Sequence, residues 1–194
     1  MPTLLDDTET STGLFANWID TPLGRMLAVA CDKGVVRLDF VEDGDLDEAM
    51  ARLGPEVTAA ESGPVKMDAM HPRLSRLAIE LAEYFTGTRT EFSVPLSPRG
   101  TRFELMTWRY LRSIPYGQTR SYGQQARAIG EPNASRAVGR ANGMNRIGIV
   151  IPCHRVIGSD GKLTGYAAGI DRKRWLLEHE RDVRGGTLFH QSPG

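Results

Sequence analysis

SYGQQARAIGEPNASRAVGRANGMNRIGIVIPCHRVI, residues 121–157, decides how the second half of this chain folds. Ser121 is a residue type that caps a helix, and the helical pattern after it runs to about Ala128. Gly130-Glu131-Pro132-Asn133 is a tight turn. Asn133, Ala134 or Ser135 then opens a second helix that ends near Gly143. Two short helices joined by a glycine-containing turn fit a helix-turn-helix, and they equally fit any helical hairpin. The second helix carries mostly tiny side chains. A major-groove reader needs long polar groups to reach base edges. Small residues instead let a backbone approach a narrow minor groove, with Arg136 as the one long wedge. The same smallness suits a helix packed tightly inside the protein. Residues 147–151 (IGIVI) read as a buried strand, and Pro152 ends it because proline has no N–H for a ladder.

Cys153-His154-Arg155 follow directly. Thiols react as thiolates, a nearby His or Arg lowers the thiol pKa, and a neighbouring histidine is the usual activating base. Consecutive strand residues point to opposite faces, so Cys153 and His154 cooperate only if the chain turns at Pro152 or water bridges them. A buried inert cysteine beside a structural histidine is the competing reading. A last helix, which Asp171 can cap, places Glu180 four residues after Leu176 and three after Leu177, on their buried face. Glu178 and His179 fit that stripe less well. A carboxylate in a last turn opposes the helix dipole, so an inward Glu180 invites a role such as orienting a histidine. A frayed, exposed helix end is the alternative.

Upstream, residues 25–31 and 35–41 read as strands joined at Asp32-Lys33-Gly34. Residues 44–65 are acidic and contain Pro and Gly, which predicts loop with a short helix. Leu74, Leu77, Ala78, Leu81 and Phe85 form a helical stripe ended by Gly87, and residues 91–94 suggest another short strand. Residues 103–113 form a helix that stops before Pro115 and Gly117. The PLSPRG stretch at 95–100 marks a domain boundary. The expected organisation is a loose stretch 1–17, an N-terminal domain 18–95, a C-terminal domain 96–184 and a tail 185–194.

The 194 residues carry no formal net charge, but the charge is unevenly placed. Residues 1–99 hold 9 Lys+Arg against 17 Asp+Glu, and residues 100–194 hold 15 against 7. A basic half beside an acidic half hints at nucleic acid, against the plainer reading of chance plus an acidic soluble domain. The two cysteines lack metal-site spacing, so no metal is expected, and Cys31 reads as an inert small hydrophobe. Neither a leader pattern nor an apolar run of about 18 residues is visible. A cytoplasmic protein with reduced thiols and no membrane partner is therefore expected.

The run Ile151-Pro152-Cys153-His154-Arg155-Val156-Ile157-Gly158 strongly resembles the active-site motif of the O6-alkylguanine-DNA alkyltransferases, or methylated-DNA–protein-cysteine methyltransferases. The match extends through Gly161-Lys162-Leu163-Thr164-Gly165-Tyr166 and Arg172-Lys173-Arg174-Trp175-Leu176-Leu177. It reaches back through Asn145, Arg136-Ala137-Val138-Gly139, Tyr122-Gly123 and Ile114-Pro115-Tyr116-Gly117, covering about residues 88–181. The first half is similar only loosely, mainly at Thr21-Pro22-Leu23-Gly24.

The resemblance implies an α/β, ribonuclease-H-like N-terminal domain and a mainly α C-terminal domain with a winged helix-turn-helix. It implies stoichiometric, irreversible transfer of an alkyl group from O6-alkylguanine in duplex DNA, and from O4-alkylthymine, to Cys153. His154 would take the thiol proton through a water and Glu180 would orient it. Asn145 would brace the turn, and Tyr122 would contact the flipped nucleotide and donate a proton to the leaving guanine. Arg136 would fill the gap in the stack, with Ala137, Gly139, Arg140 and Ala141 on the DNA-binding helix. The carbonyls of Cys153 and Leu163 would accept from the guanine amine, the Ala167 amide would face O6, and Tyr166 would wall the pocket. No cofactor is implied. A monomer is expected, with cooperative binding along DNA left open.

Three positions depart from the family pattern: Arg146 stands where proline is usual, Arg140 is longer than usual, and Ala168 replaces a common glycine. Neither the zinc set of some relatives nor the phosphotriester-sensing zinc domain of the adaptive-response regulators is visible, so neither a metal nor a transcriptional role is expected. A regulator using the helix-turn-helix alone would need none of Cys153, Tyr122, Asn145 or Glu180. A cysteine hydrolase would separate its Cys and His in sequence.

Overall fold

The structure, a computed structural model, describes residues 13–41 and 65–185. Most of the acidic stretch expected as loop and short helix, and all but the first residue of the expected tail, therefore lie outside the described residues.

Strands β1 (Phe15–Thr21), β2 (Gly24–Cys31) and β3 (Gly34–Phe40) form an antiparallel meander, and the short β4 (Lys66–Met67) adds in parallel to β1. The sheet order is β3-β2-β1-β4. The expectation of a loose chain to residue 17 fails at its end, because Leu14 and Ala16 are buried and β1 begins at Phe15. β2 is apolar on both faces because both are covered. Met26, Ala28 and Ala30 face the main core, while Leu27, Val29 and Cys31 pack with Leu14, Ala16 and Val36 in a second cluster.

Helix α1 (Pro72–Phe85) starts with proline in its first turn, where no intrahelical N–H is needed. It lays Leu74, Leu77, Leu81 and Tyr84 into the core and stops at Thr86, after which Gly87 takes φ 76°. Its buried Glu80 accepts the backbone N–H groups of Ser93 (2.8 Å) and Val94 (3.1 Å). Those donors are thereby taken from any ladder, which is why the strand expected at 91–94 does not form.

In the second half, α2 (Arg102–Leu111) and α3 (Tyr122–Ala128) each open on a capping box, Thr101 with Glu104 and Ser121 with Gln124. α4 (Ser135–Gly143) packs on both. The Trp108 indole N–H donates to the Ala141 carbonyl at 2.8 Å, and the buried amides of Gln125 and Asn142 bond each other. β5 (Arg120–Ser121) pairs in parallel with β6 (Val156–Ile157). α5 (Ile170–Arg184) closes the described chain. Asp171 is not its cap: Gly169 holds that position at φ 93°, and Asp171 sits in the first turn, paired with Arg174. The helix also runs past Glu180 to Arg184, so Glu180 is interior to it and not in its last turn.

Ile147, Ile149, Val150 and Ile151 are buried as expected, with Gly148 half-buried between them, but residues 147–151 are not a strand. They form a compact turn, with Ile151 N–H donating to the Ile147 carbonyl (3.0 Å) and Val150 N–H to Gly148 (2.7 Å). Ile149 sits at φ 66°, a region that β-branched residues avoid, at a cost of roughly 1–3 kcal/mol. The turn is held by β3: Leu38 N–H donates to the Arg146 carbonyl (2.8 Å) and Gly148 N–H to the Leu38 carbonyl (2.9 Å). Further along the same edge Val35 exchanges bonds with Pro95 and Ser97, both 2.8 Å. The outer edge of the sheet is thus covered by the second half of the chain.

Candidate active site

Pro152 releases the chain from the turn into a single 3-10 turn, Cys153–Arg155. This geometry, and not a strand, places Cys153 and His154 side by side in sequence without the opposed directions a strand would impose. Cys153 is half-buried, and His154 is fully buried. The Asn145 amide donates both to the Ile151 carbonyl (2.8 Å) and to Cys153 Sγ (3.3 Å), so it ties the base of the turn to the thiol. Desolvation pushes the thiol pKa up, and the Asn145 hydrogen bond and the Lys173 charge pull it only partly back. The resting group is therefore a thiol that needs a base.

His154 supplies one. Its Nε2 lies 2.7 Å from Glu180 Oε1. Burial lowers the His154 pKa more than Glu180 raises it, so the ring is neutral. Burial works to raise the Glu180 pKa, but His154 and Arg155 overcome it and hold the carboxyl well below its ordinary value. An ionised carboxylate only accepts, so Nε2 carries the hydrogen and Nδ1 is left with its lone pair. Nδ1 is buried and has no hydrogen-bond partner among the described residues. Glu180 also accepts from Arg155 Nε and Nη2 (2.9 Å each), the Tyr84 hydroxyl (2.9 Å) and the Gly117 N–H (3.0 Å).

Tyr122 stands at the start of α3, with its ring against Gly139 of α4. Its hydroxyl donates to the Thr164 carbonyl at 2.8 Å. Burial raises its pKa, so it is a neutral donor near pH 7. Tyr166 and Ala167 line a cavity of about 170 Å³ together with Cys153, while Leu163 and Tyr122 do not. On α4, Arg136, Ala137 and Arg140 are exposed on one face, and Gly139 is half-buried beneath Tyr122. Ala141, expected on the DNA-binding face, turns inward, because the Trp108 bond to its carbonyl fixes that side of the helix against α2. His179, expected off the buried stripe of α5, is buried with a ring nitrogen 2.8 Å from the Tyr84 carbonyl, while Leu177 is only half-buried.

Five contributing residues escaped the sequence reading. Tyr84 reaches Glu180 from α1, across 96 residues of chain. Lys173 is fully buried and donates to the Val156 (2.6 Å) and Thr164 (2.7 Å) carbonyls, joining the strand after Cys153 to the pocket loop. Burial brings its pKa down to about 8. The α5 stripe of Leu176 and Glu180 passes through position 173, so periodicity pointed there although the residue type suggested solvent. Arg37 and Asp39 of β3 line the Cys153 cavity, a placement that only the tertiary fold creates. Arg172 clasps the halves together, with Nε on the Leu23 carbonyl (2.9 Å) and its guanidinium 4.5 Å over Phe40. Among the described residues no three His, Cys, Asp or Glu cluster as a metal site, and no helix is long and apolar enough to cross a membrane.

Comparison with known proteins matches each half to one domain of the same protein. The family described as 6-O-methylguanine DNA methyltransferase, ribonuclease-like domain, matches residues 14–98, and its DNA binding domain matches residues 102–182. The expected pairing of a ribonuclease-like domain with a DNA-binding one holds. The methylated-DNA–protein-cysteine methyltransferase of Shigella flexneri is 45% identical over 163 residues, covering 84% of this chain and 92% of that protein. The protein of that name from Mycolicibacterium paratuberculosis is 57% identical over 112 residues, covering 57% of this chain and 68% of its own length. The crystal structure of Mycobacterium tuberculosis O6-methylguanine methyltransferase superposes with TM-score 0.73 at 41% identity, covering 87% of this chain and 93% of that one. A Mycobacterium tuberculosis OGT structure in complex with DNA gives the same score and identity, covering 87% and 94%. Likeness of this degree across both domains settles the kinship: this chain belongs to the methylated-DNA–protein-cysteine methyltransferase family.

Proposed function

We propose that this protein repairs alkylated DNA by moving an alkyl group from O6 of guanine onto Cys153, once per molecule. The observation that carries the reading is the state of His154. Its Nε2 is committed to an ionised Glu180 while its Nδ1, on the residue next to the thiol, is buried without a partner among the described residues. That is the tautomer a base requires, held as the orienting acid of a catalytic triad holds it. The thiol proton passes to Nδ1 through a water. The S–C bond then forms as the C–O6 bond breaks, and the electron pair stays on guanine. Tyr122 supplies the leaving base with a proton after its hydroxyl turns away from Thr164, and recovers one from solvent. The product is a thioether, and no group in the site can reverse it.

The alkyl carbon of a paired guanine is out of reach, so the nucleotide must leave the stack, at roughly a few kcal/mol. The α3–α4 pair works as a helix-turn-helix in the minor groove, presenting Arg136, Ala137 and Arg140 while Arg136 fills the vacated space. The Cys153 and Leu163 carbonyls and the Ala167 amide read the extruded base, and Tyr166 walls it. O4-alkylthymine offers the same exocyclic oxygen and is a second substrate. The protein acts as a monomer, in the cytoplasm. The test uses a duplex with one O6-methylguanine labelled on the methyl, mixed with limiting protein. About one methyl per chain, all on the Cys153 peptide and none in Cys153→Ser, is expected. Tight DNA binding without transfer would leave a lesion sensor instead.

A further inference from the structure

The cavity beside Cys153 is larger than a methyl group needs, and one of its walls belongs to the N-terminal domain. That wall is charged. Arg37 and Asp39 stand two residues apart on β3 and so on one face, with Arg37 Nε donating to Asp39. Arg146, the residue that departs from proline, lies at the start of the turn and completes the wall. It is near enough to Asp39 to favour the ionised carboxylate. Two guanidinium groups therefore share one carboxylate. Arg37 is only 7% exposed, and its Nη1 has no hydrogen-bond partner among the described residues. Buried donors without acceptors are rare and unfavourable, which makes this one a receptor for an incoming oxygen.

Geometry says which part of a substrate would meet it. Tyr166 and Ala167, on the base-reading side, line one part of this cavity, and Arg37, Asp39 and Arg146 line another, with Tyr122 and Leu163 outside it. With the base against Tyr166 and Ala167, what projects from the transferred carbon at Cys153 is the part of the substrate that reaches the β3 side. We propose that the Arg37–Asp39–Arg146 wall selects O6-alkyl groups that end in a carboxylate, such as carboxymethyl, over uncharged groups of similar length. The inference rests on the alkyl-transfer reading and adds a substrate class to it. A carboxylate matches the planar donor fork of arginine, and it brings the acceptor that Nη1 lacks among the described residues. Asp39 opposes it, but one anion faces two cations. The bonds made and broken are those of methyl transfer, with the carboxylate a spectator.

The experiment measures single-turnover transfer by the full chain from duplexes carrying one O6-methyl-, O6-propyl- or O6-carboxymethylguanine, read by the mass of the Cys153 peptide. Carboxymethyl should outpace propyl in the unaltered protein. The carboxymethyl-to-propyl rate ratio should fall about tenfold in Arg37→Met, the effect of one lost charge-assisted hydrogen bond. It should also fall in Arg146→Met, at a half-buried position that tolerates change, and rise in Asp39→Asn, where the opposing charge is gone. A ratio that stays put in Arg146→Met and Asp39→Asn, while methyl still moves, overturns the proposal and leaves alkyl transfer intact. If the unaltered protein moves no methyl, the alkyl-transfer reading itself fails, and the wall's role with it.

Discussion

Two carboxylates lie where the halves of this molecule meet, and they are held in opposite ways. Glu180 is saturated: His154, Arg155, Tyr84 and the Gly117 amide all donate to it, and it is fully buried. Asp39 is under-supplied: among the described residues Arg37 is its hydrogen-bond partner, its side chain is 30% exposed, and Arg37 keeps a donor without a partner there. A carboxylate with every lone pair occupied cannot change partners, so it fixes a tautomer and a ring plane. One with a loose partner can share that partner with a visitor. The difference separates a part that must never move from a part that can adapt to what enters.

The harshest way to break the comparison is to empty the saturated site. Glu180→Ala leaves Arg155 buried without its counter-charge, and truncating one member of a buried pair costs roughly 3–5 kcal/mol. Urea unfolding should show that loss, and methyl transfer should fall as His154 loses its orientation. A variant with an unchanged midpoint would mean the hub holds nothing. Tyr84→Phe removes a single donor and should cost about 1 kcal/mol in the same assay. Its transfer rate should stay within a small factor, because His154 and Arg155 still hold Glu180.

Acid sharpens the contrast further. Glu180 has a depressed pKa, so the unfolded chain binds its proton first. Its contribution is full above the ordinary value of 4.5 and is lost as pH falls below it. His154 is also depressed, so stability starts to drop as pH falls through 6.5, where the unfolded imidazole charges and the buried one does not. Asp39 is raised, mainly by burial, so its folded form takes the proton first and gains stability as pH falls towards 3.8. Stability measured between pH 7 and 3 should therefore show a shallower acid limb in Glu180→Gln and a steeper one in Asp39→Asn. Limbs that move in the same direction would erase the distinction. The smallest effect is the Asp39→Asn slope itself, since that carboxyl is partly solvated.

What the chain discloses in advance follows the range of the interaction. Glu180 was legible because helical arithmetic needs only four residues, and Ser121 because a capping box is local. The Cys153–His154 pair was legible as chemistry but not as geometry, since nothing in the dipeptide distinguishes a strand from a 3-10 turn. Residues 147–151 misled for a related reason. A buried turn and a buried strand select the same apolar residues, and the left-handed Ile149 is set by the β3 edge bonds rather than by its own preference. Tyr84, Arg37 and Asp39 were illegible because their meaning comes from partners more than a hundred residues away, or nearly so.

Arg172, Lys173 and Glu180 all ride on α5, and this bears on how the protein is made. On the ribosome the N-terminal sheet emerges first, the Cys153 turn later, and α5 after every other described element. Until α5 docks, His154 has no carboxylate to set its tautomer, the pocket loop lacks its Lys173 tie, and the clasp on Leu23 is open. A nascent chain therefore exposes a cysteine without the apparatus that arms it. The site is thus complete only once α5, the last of the described elements to emerge, has docked.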